Sequence, residues 1–218
     1  MITISESTQE PMLLEPKDGE QLKIVLEQNA EVTILEKGTG TFTVDVQLAA
    51  NAKLHYFSTT VGKVTRTAVL KDDSSILWVD AAYGEDVQSH VTSTLCKGAD
   101  AQFESVFLGK ASEKYDIKSQ MVHEGNNSTS NMLTRAVMLD KARGNYEGMI
   151  NIKPYAKGCD AYQKEDTLLL SEEAVMDAQP NLEISNEDVR CSHGVSVGQL
   201  DEEKIFYFQS RGLQRDKA

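Results

Sequence analysis

The chain has 218 residues, 40% of them hydrophobic and 26% charged, and its 34 acidic and 22 basic side chains give a formal net charge of −12. This composition is typical of a folded globular protein. The acidic surplus argues against nucleic acid or an anionic membrane as a partner, because both attract clustered positive charge. The length predicts a single domain over residues 1–218, with an acidic N-terminal segment at 1–20 and a short tail at 214–218.

The N-terminal residues contain no apolar stretch that resembles a signal peptide, and no apolar run reaches the roughly 18 residues of a membrane span. We therefore expect a cytoplasmic protein. The three cysteines, Cys96, Cys159 and Cys191, are odd in number and far apart, which suits neither a disulfide framework nor a zinc knuckle and predicts reduced thiols.

Taken in chain order, the sequence shows short apolar or alternating runs that end at Gly, Asp, Asn or Lys, which is the pattern of β-strands. The first predicted strands cover 21–26, 31–35 and 41–48. Units with a similar pattern then begin at Asn51, Asp73 and Ala99, a spacing within the range of solenoid repeats.

A two-layer β-sandwich would also give many short strands, but its hairpins often contain Asn-Gly or Asp-Gly, and Asp18-Gly19 is the only such pair. The repeat therefore predicts an all-β parallel β-helix whose coils bury alternate residues. The candidate inward positions are Leu54, Tyr56, Ile76, Trp78 and Phe103, whereas His55 and Glu104 should point outward.

The last strongly apolar segment, 204–209, is predicted to be an edge strand that pairs with another subunit. Its candidate interface residues are Ile205, Phe206, Tyr207 and Phe208.

The sequence lacks a phosphate-binding loop, a His-Glu-x-x-His motif and a Gly-x-Ser-x-Gly motif. Its many carboxylates leave open a carbohydrate-active β-helix, since two carboxylates about 5 to 9 Å apart suffice for glycoside hydrolysis. A purely structural dimerisation module is a further alternative.

Cys191 and His193 carry the most suggestive chemistry. Strand alternation would place them on one face, with Ser192 on the other. A thiolate and an imidazole on one face can bind a soft or borderline metal, or His193 can lower the pKa of Cys191. A buried cysteine beside a hydrogen-bonded histidine is the structural alternative.

The same region contains a series of blocks in a fixed order, namely GMINI at 148–152, DAYQ at 160–163, TLLLS at 167–171, PNLEI at 180–184, DVRCSHG at 188–194, VG at 197–198 and FYFQSRG at 206–212. In these blocks the chain resembles the SufB/SufD family of iron–sulfur cluster assembly proteins. The resemblance is strong over 145–213, fair over 95–145 and faint before that.

The resemblance implies a right-handed parallel β-helix and a non-enzymatic scaffold subunit. Such subunits pair as homodimers or as SufB–SufD heterodimers and act with SufC, an ATPase of the ABC type. The block at 188–194 is closer to the SufD type, which implicates His193, with Cys191 beside it, as a candidate transient ligand of iron or of an iron–sulfur cluster. Gly194 stands where the SufB type has a glutamate, and Lys164 and Glu165 stand near the place of its assembly cysteine.

Family members usually carry C-terminal helices that dock the ATPase, whereas this chain stops at Ala218. We therefore expect a minimal or shortened member in which the binding of SufC is weakened or lost.

Overall fold

The computed structural model describes residues 1–199 and 202–214, and over these residues the fold is a parallel β-helix followed by a short helix. The strands are β1 (Ile2–Ile4), β2 (Met12–Leu14), β3 (Gln21–Leu26), β4 (Glu31–Glu36), β5 (Thr39–Leu48), β6 (Lys53–Leu70), β7 (Ser75–Ala82), β8 (Asp86–Leu95), β9 (Asp100–Gly109), β10 (Lys114–His123), β11 (Thr129–Met138), β12 (Arg143–Ile152), β13 (Cys159–Leu169), β14 (Val175–Ile184) and β15 (Val189–Gln199). The helix is α1 (Glu202–Ser210).

Each coil contributes one strand to each of two stacks, and every pairing within a stack is parallel. The first stack contains β1, β3, β5, the second half of β6, β8, β10, β12 and β14. The second stack contains β2, β4, the first half of β6, β7, β9, β11, β13 and β15. The predicted β-helix is therefore confirmed, with two strands in each coil.

The coils lengthen along the chain. Near the N-terminal end, Ser58 and the stacked Asp80 are 22 residues apart. Near the C-terminal end, Ser128 and the stacked Cys159 are 31 residues apart. The strands of the first two coils are also short, with 3 residues in β1 and β2 and 6 in β3 and β4, whereas β14 and β15 have 10 and 11. The solenoid is consequently wider at its C-terminal end.

One corner of the coils explains the visible repeat. At the turn from the first stack to the second, a residue just before each of six second-stack strands has a positive φ; these residues are Asn29, Asn51, Asp73, Gly98, Asn127 and Gly158. Asn, Asp and Gly adopt this left-handed conformation at lower cost than other residues. Their amides bond the corner of the next coil, as from Asn51 N to Asp72 O at 3.1 Å and from Asp73 N to Lys97 O at 2.9 Å.

The strand β6 passes from the second stack to the first without a break, and it bends at Gly62. Gly62 has a φ of 108° and is in register with Gly40 of β5. A Cβ atom at Gly62 would lie 2.5 Å from the Gly40 carbonyl oxygen. Glycine is required here both for the backbone conformation and for the close approach of the two strands.

The interior is filled by the alternate residues of both stacks, as predicted. Leu54, Tyr56, Ile76, Trp78 and Phe103 are at most 1% exposed, whereas His55 and Glu104 are exposed. The core also contains a charged network in which Arg66 bonds Glu36 at 2.5 and 3.0 Å and lies 3.8 Å from Asp80. Pairing in this way makes the burial of these charges tolerable.

The prediction of a C-terminal edge strand at 204–209 is wrong, because this segment lies in α1. Glu203 in the first turn suits the positive end of a helix dipole. The ring of Tyr207 is covered by the Arg211 guanidinium at 4.9 Å, one helical turn away. Ile205 is buried, so of the four predicted interface residues only Phe206, Tyr207 and Phe208 remain exposed.

The acidic N-terminal segment is not separate from the solenoid: β1 pairs with β3, and β2 pairs with β4. Most of the predicted tail, 215–218, lies outside the described residues. In the part of the chain that the structure describes, no helix is long and apolar enough to cross a membrane.

Candidate functional site

The candidate site lies on β15, the last strand of the second stack. In register with β13, Cys191 is opposite Ala161 and His193 is opposite Gln163. Ala161 and Gln163 both face the interior, so Cys191 and His193 share the inward face of the last coil and Ser192 points outward. The sequence prediction of a common face is confirmed.

Cys191 is partly buried and packs against the core, whereas His193 is exposed. Burial, with a further contribution from the Asp160 carboxylate, raises the pKa of the Cys191 thiol to about 11. Loss of solvation dominates this shift, and His193 does not contribute to it. At neutral pH the thiol is protonated and becomes a good ligand only when a metal displaces its proton.

The last coil has an open inward face, because no further coil covers it in the described part of the chain. There, β14 pairs only with β12 and β15 only with β13. Three apolar side chains at inward positions remain well exposed, namely Ile184 at 41%, Val195 at 48% and Val197 at 42%. Apolar residues beside an unpaired strand edge are typical of a surface that pairs with another chain.

Beneath this face, β13 carries two polar side chains that the sequence patterns did not place inside. Gln163 and Glu165 are 1% and 0% exposed. Gln163 Nε2 donates to the Asn181 carbonyl oxygen at 3.0 Å, and the Thr167 hydroxyl donates to Glu165 Oε1. Both residues follow Cys159 and Ala161 at intervals of two, so strand alternation alone would have predicted that their side chains point inward.

The other two cysteines lie apart from this face. Cys159 is buried, with its Sγ atom 3.3 Å from Ser128 Oγ. Ser128 donates to the Gly125 carbonyl oxygen at 2.9 Å and therefore accepts from Nδ1 of His123 at 2.8 Å, while Ser130 donates to Nε2 at 2.8 Å. Cys96 is a partly buried free thiol at a corner.

Several outward-facing carboxylates on the later coils are paired with cations. Examples are Lys118 with Glu147 at 3.0 Å and Lys164 with Asp166 at 2.8 Å. Such pairs are typical of a solvated face. They give the carbohydrate-active alternative no specific support.

Among the residues that the structure describes, no three His, Cys, Asp or Glu side chains are grouped closely enough to hold a metal ion. The candidate site of this single chain therefore offers at most a partial set of ligands. Further ligands would have to come from another group in the chain or from a partner.

Comparison with known proteins identifies the family. The family model for the SUF system FeS cluster assembly SufBD core domain matches residues 12–218. The iron–sulfur cluster assembly protein SufD of Escherichia coli is 30% identical over 211 residues, which are 88% of this chain and 49% of that protein. SufD of Bacillus subtilis is 30% identical over 155 residues, 70% of this chain and 36% of that protein.

A chloroplastic SufBD family protein of Arabidopsis thaliana is 26% identical over 149 residues, 67% of this chain and 27% of that protein. The chain thus spans about half or less of the length of these relatives. The match to the family model covers almost the whole β-helix, including the coil with Cys191 and His193. This chain belongs to the SufBD family of iron–sulfur cluster assembly proteins.

Proposed function

We propose that this chain is a non-enzymatic scaffold subunit of iron–sulfur cluster assembly in the cytoplasm. It pairs through its last coil with a second SufBD-type β-helix, either its own copy or a SufB-like paralogue. A nascent cluster is held transiently where the two chains meet, and His193 and Cys191 are its ligands from this chain. We further propose that the pair acts with an ABC-type ATPase of the SufC kind, whose binding to this chain alone we expect to be weak.

The observation that carries this proposal is the position of Cys191 and His193 on the open inward face of a chain from this family. A metal bound there would be at the mouth of the solenoid, within reach of ligands from a chain that pairs with β14 and β15. The raised pKa of Cys191 fits a ligand that stays protonated until iron arrives.

The exposed aromatic residues of α1 are a second candidate contact. Phe206, Tyr207 and Phe208 are 71%, 53% and 41% exposed. Aromatic residues are enriched at protein interfaces, and we include these three in the proposed interface. As part of a helix, they would pack against the partner and not extend its sheet.

Anaerobic reconstitution with Fe²⁺ and sulfide, in the presence of the partner subunit, tests the proposal. We expect His193→Ala to reduce cluster loading at least about tenfold and Cys191→Ala to reduce it less, because a metal site loses affinity steeply with each ligand. His55→Ala and Cys96→Ala are the matched controls, since His55 is exposed on the outer face and Cys96 lies at a distant corner. Equal loading in all five proteins would remove Cys191 and His193 from the mechanism.

A further inference from the structure

Two buried oxygen atoms lack a hydrogen-bond partner in the described part of the chain. They are Oε1 of Gln163 and Oε2 of Glu165. Buried polar atoms are nearly always hydrogen-bonded, because an unpaired one has lost its contacts with water and gained nothing in exchange. Two such atoms on the same face of one strand therefore indicate a ligand.

The head groups of both side chains are held in place by one bond each. Gln163 is fixed by its Nε2 bond to the Asn181 carbonyl, and Glu165 by the bond from the Thr167 hydroxyl to Oε1. These bonds leave the amide oxygen of Gln163, Oε1, and the second carboxylate oxygen of Glu165, Oε2, free to accept. Burial raises the pKa of the Glu165 carboxyl, as expected for a carboxyl group that has no cation beside it.

The register of β13 and β15 places Gln163 and Glu165 in the strand next to the candidate site. Gln163 is directly opposite His193, and Glu165 is opposite Val195, the next inward position on β15. Imidazole nitrogen, amide oxygen and carboxylate oxygen together form a ligand set that suits a divalent transition-metal ion. His193 has the inward parity of β15 and is exposed at the open face.

We propose that Gln163 and Glu165 are the inner oxygen ligands of a divalent transition-metal site that His193 completes from the open face. The identification of the ion as Fe²⁺ rests on the proposed function, whereas the ligand set does not. The site uses an amide oxygen in place of a third His, Cys, Asp or Glu. It lies between the last two coils, at the entrance to the interior, and holds the ion before sulfide or a partner's ligands reach it.

The test measures metal binding by the untagged chain alone, without partner, ATPase or sulfide. Co²⁺ serves as the probe, because its visible absorption bands report coordinated nitrogen and oxygen, and Fe²⁺ competes for the same site under anaerobic conditions. We expect one Co²⁺ per chain, and an affinity at least about tenfold weaker in Glu165→Gln and in His193→Ala. The control Glu104→Gln, on the outer face of the second stack, should bind like wild type.

Two outcomes overturn the proposal: no saturable Co²⁺ binding by wild type, or unchanged binding by Glu165→Gln. Glu165→Gln is nearly isosteric and removes a buried carboxyl group, so its melting temperature should not fall. Thr167→Val provides a second variant, which frees the Glu165 head group and should weaken binding by a smaller factor. If His193→Ala abolishes cluster loading with the partner while Glu165→Gln leaves Co²⁺ binding intact, the proposed function stands and this inference fails.

Discussion

At the scale of single residues, the interior shows how polar groups are kept inside a narrow solenoid. His123 is 0% exposed and is bonded on both ring nitrogens by serine hydroxyls. This arrangement suits the neutral imidazole: Ser128 donates its hydrogen bond to the Gly125 carbonyl oxygen and so accepts from Nδ1, while Ser130 donates to Nε2. Burial lowers the pKa of His123 to about 4.

The pH dependence of stability follows from this pKa. Because His123 has a lower pKa in the folded chain than the unfolded value near 6.5, the unfolded chain binds more protons between about pH 6.5 and pH 4. The contribution of the neutral His123 to the free energy of unfolding is therefore fully present above about pH 6.5. It declines as the pH falls, and about 3 kcal/mol of it is lost near pH 4. Urea unfolding at several pH values should show this loss in wild type and not in His123→Gln.

The exposed His55 provides the control for that measurement. His55→Gln should keep the pH dependence of wild type, whatever the carboxylates contribute to both proteins. If the free energy of unfolding fell equally steeply between about pH 6.5 and pH 4 in wild type and in His123→Gln, the assignment of a neutral buried imidazole would be contradicted.

At the scale of elements, the corners and the alternation made most of the strands predictable. Asn51 and Asp73 mark successive coils because both hold the left-handed corner conformation. The inward side chains followed from alternation alone. The strands β1 and β2 were missed because three residues each are too few to show a pattern.

The misassigned element is α1, and its composition explains the error. Ile, Phe and Tyr in succession favour a strand by propensity, but such preferences are easily overridden by the tertiary context. In the structure the burial of Ile205 and the contact between Arg211 and Tyr207 stabilise a helix. The interior location of Glu165 was missed because a charged side chain suggests the surface. Its position in the strand alternation, two residues after Gln163, nevertheless indicated the core.

The bend of β6 gives a prediction at this scale. Gly62→Ala should lower the free energy of unfolding by at least about 2 kcal/mol, because the new Cβ meets the Gly40 carbonyl and the φ of 108° strains any other residue. Gly198→Ala is the control: no atom lies within 4 Å of the point that its Cβ would occupy, and the change should stay within about 1 kcal/mol. Chemical denaturation measures both. If Gly62→Ala left the free energy of unfolding unchanged, the close approach of β5 and β6 would be contradicted.

At the scale of the whole molecule, the last coil has apolar inward side chains that no further coil covers in the described part of the chain. Its inward side chains lie in the same columns as the buried residues below them, yet they remain partly exposed. Burial of this face against another chain would gain free energy at about 25 cal/mol for each Å² of apolar surface removed from water. The net charge of −12 opposes indiscriminate association elsewhere on the surface.

A charge on that face should therefore prevent pairing. We expect Val195→Lys to abolish association with the partner β-helix, or self-association where the partner is a second copy, as measured by sedimentation velocity. Val106→Lys is the control, because Val106 is similarly exposed at 52% but lies on the outer face of β9. Phe206→Asp separates the contribution of α1. Association that survives Val195→Lys but not Phe206→Asp would place the contact on the helix and not on the coil.

The widening of the solenoid restricts the symmetry of such an assembly. The last coil, which contains the 10 and 11 residues of β14 and β15, is wider than the first coils in the described chain. Two wide mouths have equal perimeters, and apposing them gives a closed dimer with a two-fold or pseudo-two-fold axis. A wide last coil thus matches the last coil of a second chain better than it matches a narrower coil.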